Sequence, residues 1–140
     1  MVETVRMPGM ELRFLHTPAS TGGSLTMFEM RLLPGGRMPV LHRHRDWEET
    51  VYGLEGATAW TVDGRTVEVG PGETLHIPRG IVHGFANRAA EAVACLCVLT
   101  PGVLGPAYFR ELAALVEGGR PDPAAVRATM LRHGLVPEAG

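Results

Sequence analysis

The sequence predicts an all-β domain braced by a short helical tail, and three observations carry that prediction. From Glu11 to about Thr100 the chain divides into short runs of strand length. Glycine, proline and Asp-Gly turn signals separate these runs at regular intervals, as in a β-sandwich or small barrel. After Pro101-Gly102 the apolar spacing changes to that of amphipathic helices. A chain of 140 residues fits one domain with a core large enough to hold without staples. We therefore divide it into a β-domain over 1–105, with its core at about 11–100, and a helical extension over 106–140 packed on that domain.

Leu25 to Leu33 is the first clear strand, broken by Pro34-Gly35-Gly36. Glu49 to Leu54 is the next, ended at Glu55-Gly56. Ala57 to Val62 and Arg65 to Val69 flank Asp63-Gly64, a type I′ hairpin signal. Gly70-Pro71-Gly72 makes a further turn, and Thr74 to Ile77, Val82 to Ala86 and Ala92 to Thr100 follow as strands. In the tail, Pro106 starts a helix running to about Glu117, with Tyr108, Phe109, Leu112, Leu115 and Val116 on one face. A second helix has Asp122 as N-cap, Pro123 at its first position and Gly134 as its stop. Leu135 or Val136 then folds back.

Composition excludes several functions. The formal net charge is −2, and the 13 basic residues, all arginine, form no phosphate-tracking stripe, so no nucleic-acid partner is expected. The N-terminal residues lack a signal-peptide pattern, and no apolar run is long enough to span a bilayer. Cys95 and Cys97, two apart on a strand, share one face and are too close for an unstrained disulfide. Free buried thiols in a reducing cytoplasm are the expectation. Ala92 to Leu99 is apolar on both faces, as in a strand covered on both sides, which suits an oligomer.

The most informative residues are His42, His44, Glu49 and His83. On a strand, positions 42 and 44 project to one face, roughly 6.6 Å apart at the backbone. Two imidazoles so placed can converge on one ion at bonds near ~2.1 Å. Glu49, at the start of the next strand, can add a carboxylate oxygen, and His83 comes from a third strand after the Pro78-Arg79-Gly80 turn. Three imidazoles and one carboxylate suit a divalent transition metal, and Fe, Mn, Ni, Co, Cu or Zn all fit the donor set. The competing reading is of separate polar residues on a barrel surface, but their framing by glycine and proline favours one site.

At these residues the sequence resembles the cupin superfamily. Gly36 to Gly56 matches its first motif, G-x5-H-x-H-x4-E-x6-G, and Gly72 to Asn87 matches G-x5-P-x-G-x2-H-x3-N with every position filled. The resemblance implies a double-stranded β-helix, or jelly-roll, barrel with His42, His44, Glu49 and His83 facing a metal inside. It also implies a homodimer. Glu48 should then point outward. Met38, Val40, Trp60 and Phe85 are candidate pocket-lining residues by parity with the ligands or by size, while Trp47 and Asn87 read as structural. Among the other histidines, His76 lies on either the cavity or the outer face, His133 favours a helix C-terminus and His16 shows no partner.

The run from Thr100 to Ala113 loosely resembles the tail of quercetin-dioxygenase-like cupins. That likeness implies a metal-dependent dioxygenase acting on a small aromatic or enolisable compound, with Glu49 both ligand and catalytic base. The scaffold equally hosts metal-dependent isomerases, cyclases and lyases, and non-catalytic small-molecule binding modules, and fold alone does not choose among them.

Overall fold

The computed structural model describes residues 2–38 and 40–138. Its strands are β1 (Glu3–Met7), β2 (Met10–His16), β3 (Thr26–Leu32), β4 (His42–His44), β5 (Glu48–Glu55), β6 (Thr58–Val62), β7 (Arg65–Val69), β8 (Thr74–Ile77), β9 (His83–Ala86), β10 (Val93–Thr100) and β11 (Leu135–Pro137). The helices are α1 (Pro106–Val116) and α2 (Pro123–Arg132). Six strands pair in the order β1-β2-β3-β10-β5-β8, and five in the order β11-β4-β9-β6-β7, all antiparallel. This is a jelly roll, drawn as two facing sheets whose edges are not hydrogen-bonded into a closed barrel.

Alternation along the strands builds the interior. On β3, Phe28, Met30 and Leu32 point inward, and on β10 Val93, Cys95, Cys97 and Leu99 do the same. β5, beside β10 in the same sheet, adds Glu49 and Val51 to that inner face. Asp63 and Gly64 both take positive φ, at 49° and 78°, and join β6 to β7 with Val62 opposite Arg65, as the I′ signal requires. Asn87 closes the end of β9. Its amide donates to the carbonyls of Leu32 and Glu91, and its side-chain oxygen accepts from Ala89 N–H.

The tail does more than brace. α1 docks through an aromatic trio, Phe14, Phe28 and Phe109, with ring centroids 5.3–5.6 Å apart. Arg110 of α1 pairs with Glu3 at the edge strand β1. α2 starts on Asp122, whose side chain accepts from Ala124 N–H at 3.0 Å. Beyond it, residues expected only to fold back form β11, which adds a strand beside β4, Leu135 opposite His44 and Pro137 opposite His42. A three-residue strand is too short to leave an alternation signal, so its pairing was not readable from sequence.

Gly134 joins α2 to β11 at φ +89°, and a Cβ there would lie 2.9 Å from Cζ3 of Trp47. Gly134→Ala combines left-handed strain with a clash against a fully buried ring. It should lower stability by about 1–3 kcal/mol in urea unfolding. An unchanged midpoint would show that the Trp47 contact yields freely.

Candidate metal centre

Each of the four residues is placed by strand alternation. On β4, His42 and His44 face inward while Arg43 between them faces solvent. β9 runs antiparallel to β4 with His83 directly opposite His42, so three imidazoles project from one sheet. Glu49 comes from the facing sheet, through β5. The site therefore sits between the two sheets and draws on both.

The rings pack closely. Centroids lie 5.2 Å apart for His42–His44, 4.7 Å for His42–His83 and 4.5 Å for His44–His83. One nitrogen of each lies within 4.8 Å of one nitrogen of the other two, and all three residues are buried. Glu49 Oε1 approaches His83 Nε2 at 3.7 Å and His44 Nδ1 at 3.9 Å, longer than direct hydrogen bonds. His42 Nδ1 donates to the Val40 carbonyl at 3.0 Å, and His83 Nδ1 donates to the Ile81 carbonyl at 2.9 Å. A carbonyl can only accept, so both rings carry the proton on Nδ1 and present an Nε2 lone pair. His44 is held differently, stacked on Trp47 with centroids 4.7 Å apart and planes at 24°.

Burial keeps His42 and His44 neutral. His42 falls from its ordinary 6.5 to about 4, mainly through desolvation and then through the proximity of His83. His44 is lowered further by the same burial and by both neighbouring histidines. Three buried imidazoles, two of them presenting Nε2, beside a carboxylate are a donor set that fits a divalent transition metal, and the three histidines could hold one.

A cavity of about 40 Å³ adjoins the cluster, room for roughly three water molecules. Met38 and Phe85, expected to line the pocket, do so. Val40 and Trp60 are not in its wall. Val40 lies in a groove against α2 and presents only its carbonyl to the site, through His42. Trp60 is fully buried behind Phe85, centroids 5.2 Å apart, with its N–H donated to Thr58. Glu48 points outward and pairs with Arg79. His76 lies on the outer face, bonded to Thr50 at 3.0 Å, and His133 caps α2 beside Glu111. His16, expected to stand alone, contacts Ser20 Oγ at 3.4 Å.

Two polar wall residues, Cys97 and Tyr108, are among those the sequence reading did not place there. Cys97 reaches the cavity because β10 pairs with β5, and its Sγ lies 3.8 Å from that of Cys95. The bond to Cys95 and burial push the Cys97 thiol well up, so it stays protonated. Tyr108 enters from α1. Its helical periodicity marks it as buried, but periodicity carries no information on which cavity a helix face covers.

The chain belongs to the cupin family: the cupin domain model matches residues 28–99, just over half of its length. Quercetin 2,3-dioxygenase of Bacillus subtilis is 38% identical over 86 residues, which are 61% of this chain and 25% of that protein. The polyketide cyclase RemF from Streptomyces resistomycificus superposes with a TM-score of 0.60 at 34% identity, over 71% of this chain and 73% of that one. A sugar phosphate isomerase of the cupin superfamily from Silicibacter pomeroyi gives a TM-score of 0.59 at 28% identity, over 67% and 60%. This chain spans between 25% and 65% of the length of the curated relatives it matches.

The histidine shifts have a consequence for stability. Folded His42 stays neutral down to about pH 4, whereas in the unfolded chain it takes a proton near 6.5. Its contribution is therefore complete above pH 6.5 and is lost as pH falls towards 4. In metal-free protein the denaturant midpoint should drop between pH 7.5 and pH 5; equal midpoints would contradict neutral burial.

Proposed function

We propose that this cupin is a mononuclear metal-dependent enzyme in which His42, His44, His83 and Glu49 hold one divalent ion. The leading reaction is dioxygenation of a small aromatic or enolisable compound. The observation that carries this reading is Glu49: a buried carboxylate, 3.7 and 3.9 Å from two imidazoles, facing a cavity with otherwise apolar walls. A base so placed can take the proton of a substrate hydroxyl at Oε1 and return it later. A bound ion would supply the Lewis-acid centre that gathers and orients the substrate's oxygen.

The wall limits the substrate. Apart from the four polar site residues, the described lining contains Cys97 and Tyr108 as its polar members and no arginine. A phosphate or second carboxylate would find no cationic partner in that described lining, whereas a neutral ring bearing oxygens needs none. The cavity is small, so a ring must displace the flexible side chains of Met10, Met30 and Met38. Likeness over part of a quercetin dioxygenase supports the oxidative reading. A non-oxidative cyclisation or isomerisation is the second reading, favoured by the fuller overlap with a polyketide cyclase.

Metal-loaded protein, offered flavonols and cyclic dicarbonyls in an oxygen electrode, should consume oxygen. Glu49→Gln should reduce that rate by about 10²-fold or more. Turnover under nitrogen at the same rate would replace dioxygenation with the second reading.

Two further features belong to this proposal. The free buried thiols Cys95 and Cys97 suit a reducing compartment such as the cytoplasm. A homodimer would form on the outer face of the larger sheet, where Tyr52 and Leu54 are exposed beside half-buried Leu96 and Val98. Size-exclusion chromatography with light scattering should return twice the chain mass, and a monomer would overturn that contact.

A further inference from the structure

Two buried side-chain polar atoms have no hydrogen-bond partner among the described residues, Trp47 Nε1 and Tyr108 Oη. They differ in what they face. Trp47 is stacked on His44 and closed over by Gly134, outside the cavity wall. Tyr108 is itself part of that wall, together with the three histidines and Glu49. Its ring is 1% exposed and fixed between Phe109, at 4.9 Å, and His133, at 5.4 Å.

A buried hydroxyl without a partner normally costs stability, and its persistence asks for a compensating role. Phenylalanine would fill the same space in α1 without that cost. Burial also pushes the phenol's ionisation upward, which leaves the group a neutral donor at ordinary pH.

We infer that Tyr108 is a substrate-positioning residue, its hydroxyl donating a hydrogen bond to an oxygen of the compound bound beside the histidine cluster. This rests on the reading of the cavity as a site for an oxygen-bearing ring, and it sharpens that reading. The ligand then has two polar anchor points, one at the metal centre and one at α1, across an otherwise greasy interior. A hydrocarbon ring with oxygens placed to meet both anchors is selected; one lacking the outer oxygen leaves Tyr108 unpaired. The tail helix thus becomes a determinant of ligand choice as well as a cover.

The test compares wild type with Tyr108→Phe, both loaded with cobalt(II), using 4-nitrocatechol as a chromophoric probe followed by visible absorbance. Wild type should bind with a shifted spectrum, and the variant should bind about tenfold more weakly. Without probe, the variant should melt at the same temperature as wild type or higher, because no protein partner is lost. Equal affinities for the two proteins would overturn the role of Tyr108 alone. A variant that folds poorly or melts several degrees lower would also overturn it, by showing a structural role for the hydroxyl. A wild-type protein that holds cobalt but never shifts the probe spectrum would overturn the aromatic-site reading, and this inference with it.

Discussion

Burying three imidazoles and a carboxylate in one apolar space is the constraint on which the rest of this molecule depends. Each group would be better solvated in water, so the fold must hold them where they satisfy one another or a ligand. Neutrality is enforced by desolvation, most clearly at His42 and His44. Orientation is enforced by backbone carbonyls two residues upstream, Val40 for His42 and Ile81 for His83. That repeated i−2 arrangement places both Nδ1 protons outward and both Nε2 atoms towards the shared centre. His44 has no such anchor and relies on Trp47, and through it on Gly134.

Protection of that cluster explains the architecture around it. β4 is only three residues long, and it is held on one side by β9 and on the other by β11. The chain must travel through both tail helices to deliver β11, so the tail is bound into the sheet that carries the histidines. α1 meanwhile covers the cavity with Tyr108, Phe109 and Leu112, anchored by the Phe14–Phe28–Phe109 trio. Leu104, in the connection to α1, also lines the cavity and accepts a 2.6 Å hydrogen bond from buried Thr26. The contacts that anchor α1 are therefore also the ones that close the cavity and set its shape.

Much of this was legible in the sequence for a simple reason: period-two alternation is local. His42 and His44 on one face, Glu48 outward, the Asp63-Gly64 hairpin and the Asp122 cap each follow from residues within a few positions of one another. What resisted was set by pairing between distant strands. Cys97 reaches the cavity because β10 lies beside β5, and Val40 leaves it because the irregular segment before β4 does not keep strand parity. Trp60 shares a sheet with the histidines but sits behind Phe85, a matter of depth that alternation does not encode. β11 was invisible because three residues cannot display a period.

The same division separates what the family fixes from what this chain chooses. The histidines and Glu49 lie in motifs, whereas most of the apolar cavity wall comes from β2, β3, β10 and α1. The similar proteins range from a quercetin 2,3-dioxygenase to a polyketide cyclase and a sugar phosphate isomerase. A sugar phosphate, however, brings a dianion that needs fixed positive charge near the site, and the described cavity wall offers none. Methionine, leucine and phenylalanine instead favour an apolar body, with polarity confined to the histidine end, Cys97 and the Tyr108 hydroxyl. Any chemistry here is thus narrowed less by the residues that could hold a metal than by the greasy, nearly donor-free surface opposite them.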